Sequence, residues 1–273
     1  MYEFHSDRDR YFQMQKMVCE KDIIPFIEKA YPVRQDAMVL EIGCDTAGVL
    51  SAFLERGLRG FGVDLNEDSL NYARERLADY INSKQLTLIN RNIYSVDFER
   101  EFQIKFDIII LKDVIEHILN QEKLLEKMQS FLAPQGVIFM GFPPWQMPFG
   151  GHQQVCRNKF LSHFPYFHLL PVPVYRGILK AFKEEGVEHL CELKGTGISI
   201  ERLEKLAKKT GYKIINKEYY FTNPVYKYKF NVKARKQLPL FRSIPYLRDF
   251  YTTCAYYLLS GMNDRVIQET KEK

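Results

Sequence analysis

Glu41, Gly43, Asp45 and Gly48 fall within eight positions directly after the apolar pair Val39-Leu40, and Asp64 stands 21 positions beyond Gly43. A glycine-bearing turn after a strand lets backbone approach a ligand, and an acidic residue at that spacing receives ribose hydroxyls. The pattern matches G-x-G-x-x-G except at Asp45, where a middle glycine would let the chain approach a pyrophosphate. A carboxylate there meets two phosphate charges, and like charges a few ångströms apart in a low-dielectric cleft cost several kcal/mol. A nicotinamide or flavin dinucleotide is therefore disfavoured, and a nucleoside without phosphates that carries positive charge is favoured. A second group has the chemistry of proton transfer. His117 and His152 are the candidate catalytic bases, with Glu116 or Asp113 to orient an imidazole. His163 and His168 lie among aromatic and proline residues and read as packing groups.

Such residues need strand ends to hold them. Val39–Ile42 is a short apolar run ending at Gly43, followed by a helical stretch through about Arg56. Gly60–Val63 rises into Asp64, and Asn66 or Asp68 can cap a helix whose Leu70, Ala73 and Leu77 recur at helical spacing. Leu86–Ile89 is strand-like, and Phe106–Leu111 is a nearly continuous β-branched run, as for a strand buried on both faces. A helix follows around 121–132, then Pro134-Gln135-Gly136 as a turn and Val137–Met140 as a strand. Strands alternating with helices predict an α/β fold, a doubly wound, Rossmann-like and mostly parallel sheet. Ligands of such sheets sit beyond the carboxyl ends of the strands.

Three segments, Val39–Leu50, Gly62–Leu65 and Phe106–Asp107 with Asp113–Ile118, resemble the class I S-adenosylmethionine-dependent methyltransferases in the right order, over roughly residues 36–142. S-adenosylmethionine carries an ammonium, a sulfonium, a ribose and an adenine, and no phosphate. The resemblance implies that Glu41 and the Gly43–Gly48 loop, Asp45 included, surround the methionine moiety and that Asp64 accepts both ribose hydroxyls. It implies Leu65 against the adenine, Asn92 and Ile93 at its polar edge, and Leu111 and Lys112 near the methionine end. It also implies an antiparallel last strand closing the sheet. Asp45 and Ala47 stand where the family has glycine; aspartate tolerates a left-handed backbone, and its carboxylate attracts a cationic ligand. Asn92 replaces a frequent aspartate and keeps a carbonyl acceptor. The spacing Asp113-x-x-Glu116-His117 is faintly similar to a metal site in some ubiquinone-pathway O-methyltransferases, but without a second ligand cluster no metal is expected.

The charge divides unevenly: residues 1–142 carry a net −6 and residues 143–273 a net +11. Four segments follow: a helical 1–35, a cofactor-binding core over 36–142, an inserted cap over 143–198, and 199–273 completing the sheet. The cap begins with the Pro/Gly-rich, aromatic Phe142–Gln154, in which Gly150 and Gly151 are expected to bend His152 towards the ligand and Phe142, Trp145 and Phe149 to form apolar walls. Ser199–Gly211 reads as a capped helix, and Tyr212–Phe221 and Phe250–Leu259 as the closing antiparallel pair. Between them, the basic aromatic loop 222–248 has seven basic residues, no acidic ones and five aromatics. It suits an anionic membrane surface, a lipid-linked substrate or a solvated loop, with nucleic acid ranked lower. Five scattered cysteines without Cys-x-x-Cys spacing, an N-terminus without an apolar stretch and no run of about 18 apolar residues point to a cytoplasmic protein, with peripheral membrane contact as an option. The expected activity is O-methylation of a small-molecule or saccharide-like acceptor, a weaker resemblance to surface-polysaccharide methyltransferases ranking the sugar. The alternatives are a lipid or quinone-like acceptor, or a non-catalytic protein that kept the cofactor fold.

Overall fold

The computed structural model describes residues 7–261; the outermost parts of the first and last segments, 1–6 and 262–273, lie outside the described residues. Helix α1 (Arg8–Val18), with Asp7 accepting the Arg10 N–H as its cap, runs through a π-helical turn into α2 (Ile24–Glu28). Then β1 (Met38–Ile42), α3 (Gly48–Leu54), β2 (Arg59–Asp64), α4 (Glu67–Arg76), α5 (Ala78–Asn82) and β3 (Leu86–Asn90) alternate. They are followed by α6 (Phe98–Phe102), β4 (Phe106–Lys112), α7 (Gln121–Phe131) and β5 (Leu132–Phe142). Asn66, not Asp68, caps α4, taking the Ser69 N–H on its side-chain oxygen. Pro134-Gln135-Gly136 falls within the span of β5 but out of its register: β4 pairs Phe106 with Leu132 and then Ile108 with Val137, so residues 133–136 bulge out where the sequence predicts a turn. The strands approach so closely there that a Cβ on Gly136 would lie 2.7 Å from the Phe106 carbonyl oxygen.

Past β5 come α8 (Lys159–His163), α9 (Val172–Ala181), α10 (Val187–Thr196), α11 (Ile200–Lys209) and β6 (Lys213–Thr222). The expected loop 222–248 is broken by α12 (Tyr226–Phe230), the two-residue β7 (Arg235–Lys236) and α13 (Pro239–Arg242), and is followed by α14 (Leu247–Phe250) and β8 (Cys254–Ser260). Phe250 therefore ends a helix, and the last strand starts later than its aromatic run suggests. The sheet order is β3-β2-β1-β4-β5-β8-β6-β7. β1 to β5 are parallel; β8 pairs antiparallel with both β5 and β6, so the closing strands are not a tight hairpin, and β8 wedges between its neighbours.

Strand alternation sorts the apolar side chains onto two faces. In β4, Ile108 and Ile110 join the layer under α1 to α4, while Ile109 and Leu111 join the layer with α7 and α11. Residues 143–198 add a small third cluster of their own, centred on Phe167, Tyr175 and Leu179. That segment, expected as a cap, thus has an apolar centre separate from the two layers of the sheet.

Candidate active site

The turn from β1 into α3 takes positive φ at alternate residues, Gly43 (+70°), Asp45 (+46°) and Ala47 (+58°). That left-handed sequence costs least at glycine and is tolerated by aspartate; at Ala47 it is a strain the fold carries. Gly48 is required for a different reason. Helix α1 crosses so close that a Cβ there would sit 2.6 Å from the Phe12 carbonyl oxygen.

The loop wraps a small open cleft lined by Glu41, Gly43, Asp45 and Gly48 from the expected set, and by Lys112 from the end of β4. Tyr11 and Gln15 of α1 and Thr46 of the loop also line it, and sequence reading passed over them. The visible signal for the first two was a helix whose Phe12, Met14 and Val18 must be buried against something. Two buried polar atoms of this lining, Thr46 Oγ1 and Gln15 Oε1, have no hydrogen-bond partner within the protein. Buried polar groups are seldom left so, and both suit a polar ligand in the cleft. Glu41 is buried and accepts the Leu50 N–H at 3.2 Å. Burial pushes its carboxyl well above the usual range, against the opposing pull of that N–H and of Lys112.

Asp64, at the end of β2, accepts the Asp45 N–H on Oδ2 and the Asn66 N–H on Oδ1, both at 2.8 Å. A carboxylate offers about four acceptor sites, so each oxygen keeps a lone pair for a hydroxyl donor. Leu65 beside it is 70% exposed, available to an aromatic ring. Asn92 is exposed but spends its side-chain oxygen on the Tyr94 N–H, while Ile93 is buried in the core. Leu111 departs from expectation. The alternation that brings Lys112 to the cleft turns the Leu111 side chain into the opposite core layer.

Lys112 pairs with the Asp113 carboxylate. Burial works against the lysine charge, but Asp113 and Tyr11 outweigh it and hold the ammonium above the ordinary lysine value. Lys229, from the segment expected to be a surface loop, also faces Asp113 and Lys112; burial pushes its pKa down, partly offset by Asp113. Two histidines lie outside the cleft lining but within the electrostatic reach of Asp113. The rings of His117 and His152 lie 4.8 Å apart, tilted by 49°. Burial, then the neighbouring His117, pushes His152 down to about 4, and burial lowers His117 against the opposing pull of Asp113. Both are therefore neutral bases at neutral pH. His189 of α10 is a third histidine facing both, and it went unnoticed in the sequence.

Glu116, expected as an orienting group, makes no side-chain hydrogen bond to either imidazole. It lies on the same short turn as His117 but points inward, buried, with Oε2 unpartnered and its carboxyl raised well above the usual range, chiefly by burial. The Asp113 charge raises the proton affinity of both imidazoles, while its carboxylate pairs with Lys112. Neither Gly150 nor Gly151 bends the backbone through positive φ; His152 itself does, at +55°. The glycines serve close packing, since a Cβ would lie 2.2 Å from the Trp145 carbonyl oxygen and 2.2 Å from His168 Cβ respectively. Phe142 is core, stacked on Tyr257, and Trp145 packs against Gly197 and His168, anchoring the cap in place of walling the cleft. His168 is fully buried, as expected, but His163 is exposed. Among the described residues, no group of three or more His, Cys, Asp or Glu could hold a metal ion.

Residues 40–138 match the family model described as a methyltransferase domain. The ubiquinone biosynthesis O-methyltransferase of Glaesserella parasuis serovar 5 (strain SH0165) is 32% identical over 108 residues, 37% of this chain and 43% of the relative. That of Leptothrix cholodnii (strain ATCC 51168 / LMG 8142 / SP-6) is 26% identical over 116 residues, 42% and 48% of the two chains. The chain thus spans less than half the length of these curated relatives. Among solved structures, an S-adenosylmethionine-dependent methyltransferase from Clostridium acetobutylicum ATCC 824 superposes with a TM-score of 0.55 at 14% identity, over 94% of both chains. The plantazolicin methyltransferase BamL, in complex with a triazolic desmethylPZN analog and SAH, gives 0.54 at 12% identity, over 95% of this chain and 87% of its own. Both share the fold.

Proposed function

We propose that this chain, built around a class I S-adenosylmethionine-dependent methyltransferase domain, methylates a hydroxyl oxygen of a small-molecule acceptor. The observation that carries the reading is the neutral imidazole pair, His117 and His152, which feels the charge of Asp113, the partner of Lys112 in a cleft whose loop suits the cofactor. When bound, S-adenosylmethionine supplies a methyl group already activated by its sulfonium. What remains for the protein is alignment, worth roughly 7 to 11 kcal/mol when reacting groups are held in line, and removal of the hydroxyl proton. Asp64 would hold the ribose end, Asp45 the cationic end, and Lys112 with the loop the methionine carboxylate. His152, with His117 beside it, would take the acceptor proton, while Asp113 stabilises the imidazolium that forms.

The acceptor class is read from exposed apolar side chains close to the histidines in sequence. Leu119, two residues after His117, is 74% exposed, and Phe149, three before His152, is also exposed. Open apolar side chains there favour a quinone- or lipid-like hydroxyl over a saccharide, the class ranked first from sequence. The curated relatives named ubiquinone biosynthesis O-methyltransferases point the same way. Turnover of methyl-labelled cofactor on a panel of hydroxylated quinols and sugars tests both levels. His152→Ala should lower turnover by about 10²-fold or more and leave cofactor affinity unchanged by calorimetry. Full turnover in both His152→Ala and His117→Ala would remove the base assignment, and cofactor binding without turnover on any acceptor would favour the non-catalytic alternative.

A further inference from the structure

Two segments of the basic half, 157–183 and 222–248, contain no acidic residue, and between them carry twelve of the twenty large apolar side chains the described residues expose. In the first, three phenylalanines form an open ladder. Phe160 stacks on Phe164 with ring centroids 5.3 Å apart and on Phe182 at 6.2 Å, at interplanar angles of 25° and 17°. Phe160 is nevertheless 61% exposed. Stacked rings bought at the expense of burial are poorly explained as core. In the second, Leu240 and Tyr246 are 69% and 72% exposed on and beside α13. The segments approach one another through α14, which runs past the end of the second: the Tyr166 ring lies 6.0 Å from that of Phe250, two residues past the segment, and its hydroxyl donates to the Phe250 carbonyl at 3.2 Å.

We propose that this continuous face is a docking surface for a lipid bilayer with anionic headgroups. Isolated exposed apolar residues are ordinary, whereas contiguous patches mark contact sites. The charge selects the partner. Lys159 and Lys183 adjoin the ladder in sequence and Lys233 lies in the second segment, and among the described residues none of these three takes part in an ion pair. The six acidic residues that do reach these segments (Glu184, Glu185, Glu188, Glu201, Glu204 and Glu218) are each engaged by basic side chains or backbone N–H groups. Aromatic and aliphatic side chains enter the acyl boundary while lysines meet the headgroups. A second copy of this chain would have to oppose the same positive charge to itself, which disfavours self-association through this face.

The inference rests on the acceptor reading only for its purpose. Gln153, next to His152, donates through Nε2 to the Pro148 and Phe164 carbonyls, so the base is tied to the ladder, and a docked chain would take an apolar acceptor from the bilayer. The docking itself is tested without any acceptor. In flotation with vesicles of phosphatidylcholine alone or mixed with phosphatidylglycerol, the full chain should float only with the mixed vesicles, and less so as salt rises. Phe160→Ser with Phe182→Ser, and separately Lys180→Glu with Lys183→Glu, should each weaken partitioning by about tenfold or more, with melting temperature and cofactor affinity retained. No flotation with anionic vesicles, or flotation that neither pair of substitutions changes, overturns the proposal. So does a concentration-dependent dimer, or capture of a single-stranded oligonucleotide, that these substitutions abolish without any vesicle binding. Loss of turnover with docking intact would instead count against the acceptor reading alone.

Discussion

Asp64 holds the glycine loop through the Asp45 N–H and offers its remaining lone pairs to a ligand from the same two oxygens. Removing it therefore acts twice. Asp64→Ala should weaken S-adenosylmethionine binding by about 2 kcal/mol or more, since hydrogen bonds to a charged acceptor are worth roughly 1.5 to 3, and isothermal calorimetry reads this directly. Unchanged affinity in a folded variant would remove the cofactor assignment. Asp45→Gly relieves a positive φ at the cost of a carboxylate facing the cationic ligand. Its affinity should stay within about tenfold of the parent, and a large gain in NAD binding in its place would revive the dinucleotide reading. At His152, burial and His117 hold the imidazole down to about 4. A base must be deprotonated to act, so the acid limb of kcat/KM should fall below the ordinary histidine range near 6.5. An inflection above 7 would exclude both lowered histidines as the base.

At the scale of elements, helix α1 is the lid on the glycine loop, and Gly48 is where the two touch. Gly48→Ala should push α1 outward and carry Tyr11 and Gln15 away from the cleft. The expected result is a cofactor affinity reduced by tenfold or more, about 1.4 kcal/mol, and earlier proteolysis within α1. Full affinity would show that α1 is not part of the site. This element also marks the limit of what the residues disclosed on their own. The strands and the loop after β1 were legible because β-branched runs and a glycine turn are local signals, and Asp64 was legible because its spacing from the turn is set by one helix and one strand. Tyr11 and Gln15 were not, because a helix before the core reaches the cleft only through packing, and the charge of Lys229, 117 positions past Lys112, is brought near Asp113 in the same way. The same holds for Leu111 and Glu116, whose neighbours Lys112 and His117 are in the site. Sequence distance of one residue decides between cleft and core, and only strand register and turn geometry settle it.

For the molecule as a whole, acid is the informative stress. His168 is fully buried in the cap, where its Nε2–H donates to the Trp145 carbonyl at 2.8 Å while Nδ1 has no partner. A second proton on Nδ1 would be buried without an acceptor, and burial, opposed by that hydrogen bond, pushes the imidazole down to about 4. The unfolded chain binds its proton near 6.5. Stability is therefore complete above 6.5 and declines as pH falls towards 4, by about 3 kcal/mol for this group alone. His168→Gln, which keeps a donor for Trp145, should flatten the acid side of a melting-temperature profile between pH 7 and 4.5; an unaltered profile would show that other groups govern it. The placement of β8 has a consequence of another kind, in time. A ribosome releases β5 and β6 long before residues 254–260, yet β8 lies between them. Until it arrives, β5 presents an open edge and β6 has no place in the sheet, so the half-made chain exposes the features that invite aggregation. Among the described residues, the last full strand to be synthesised is the one that seals the sheet.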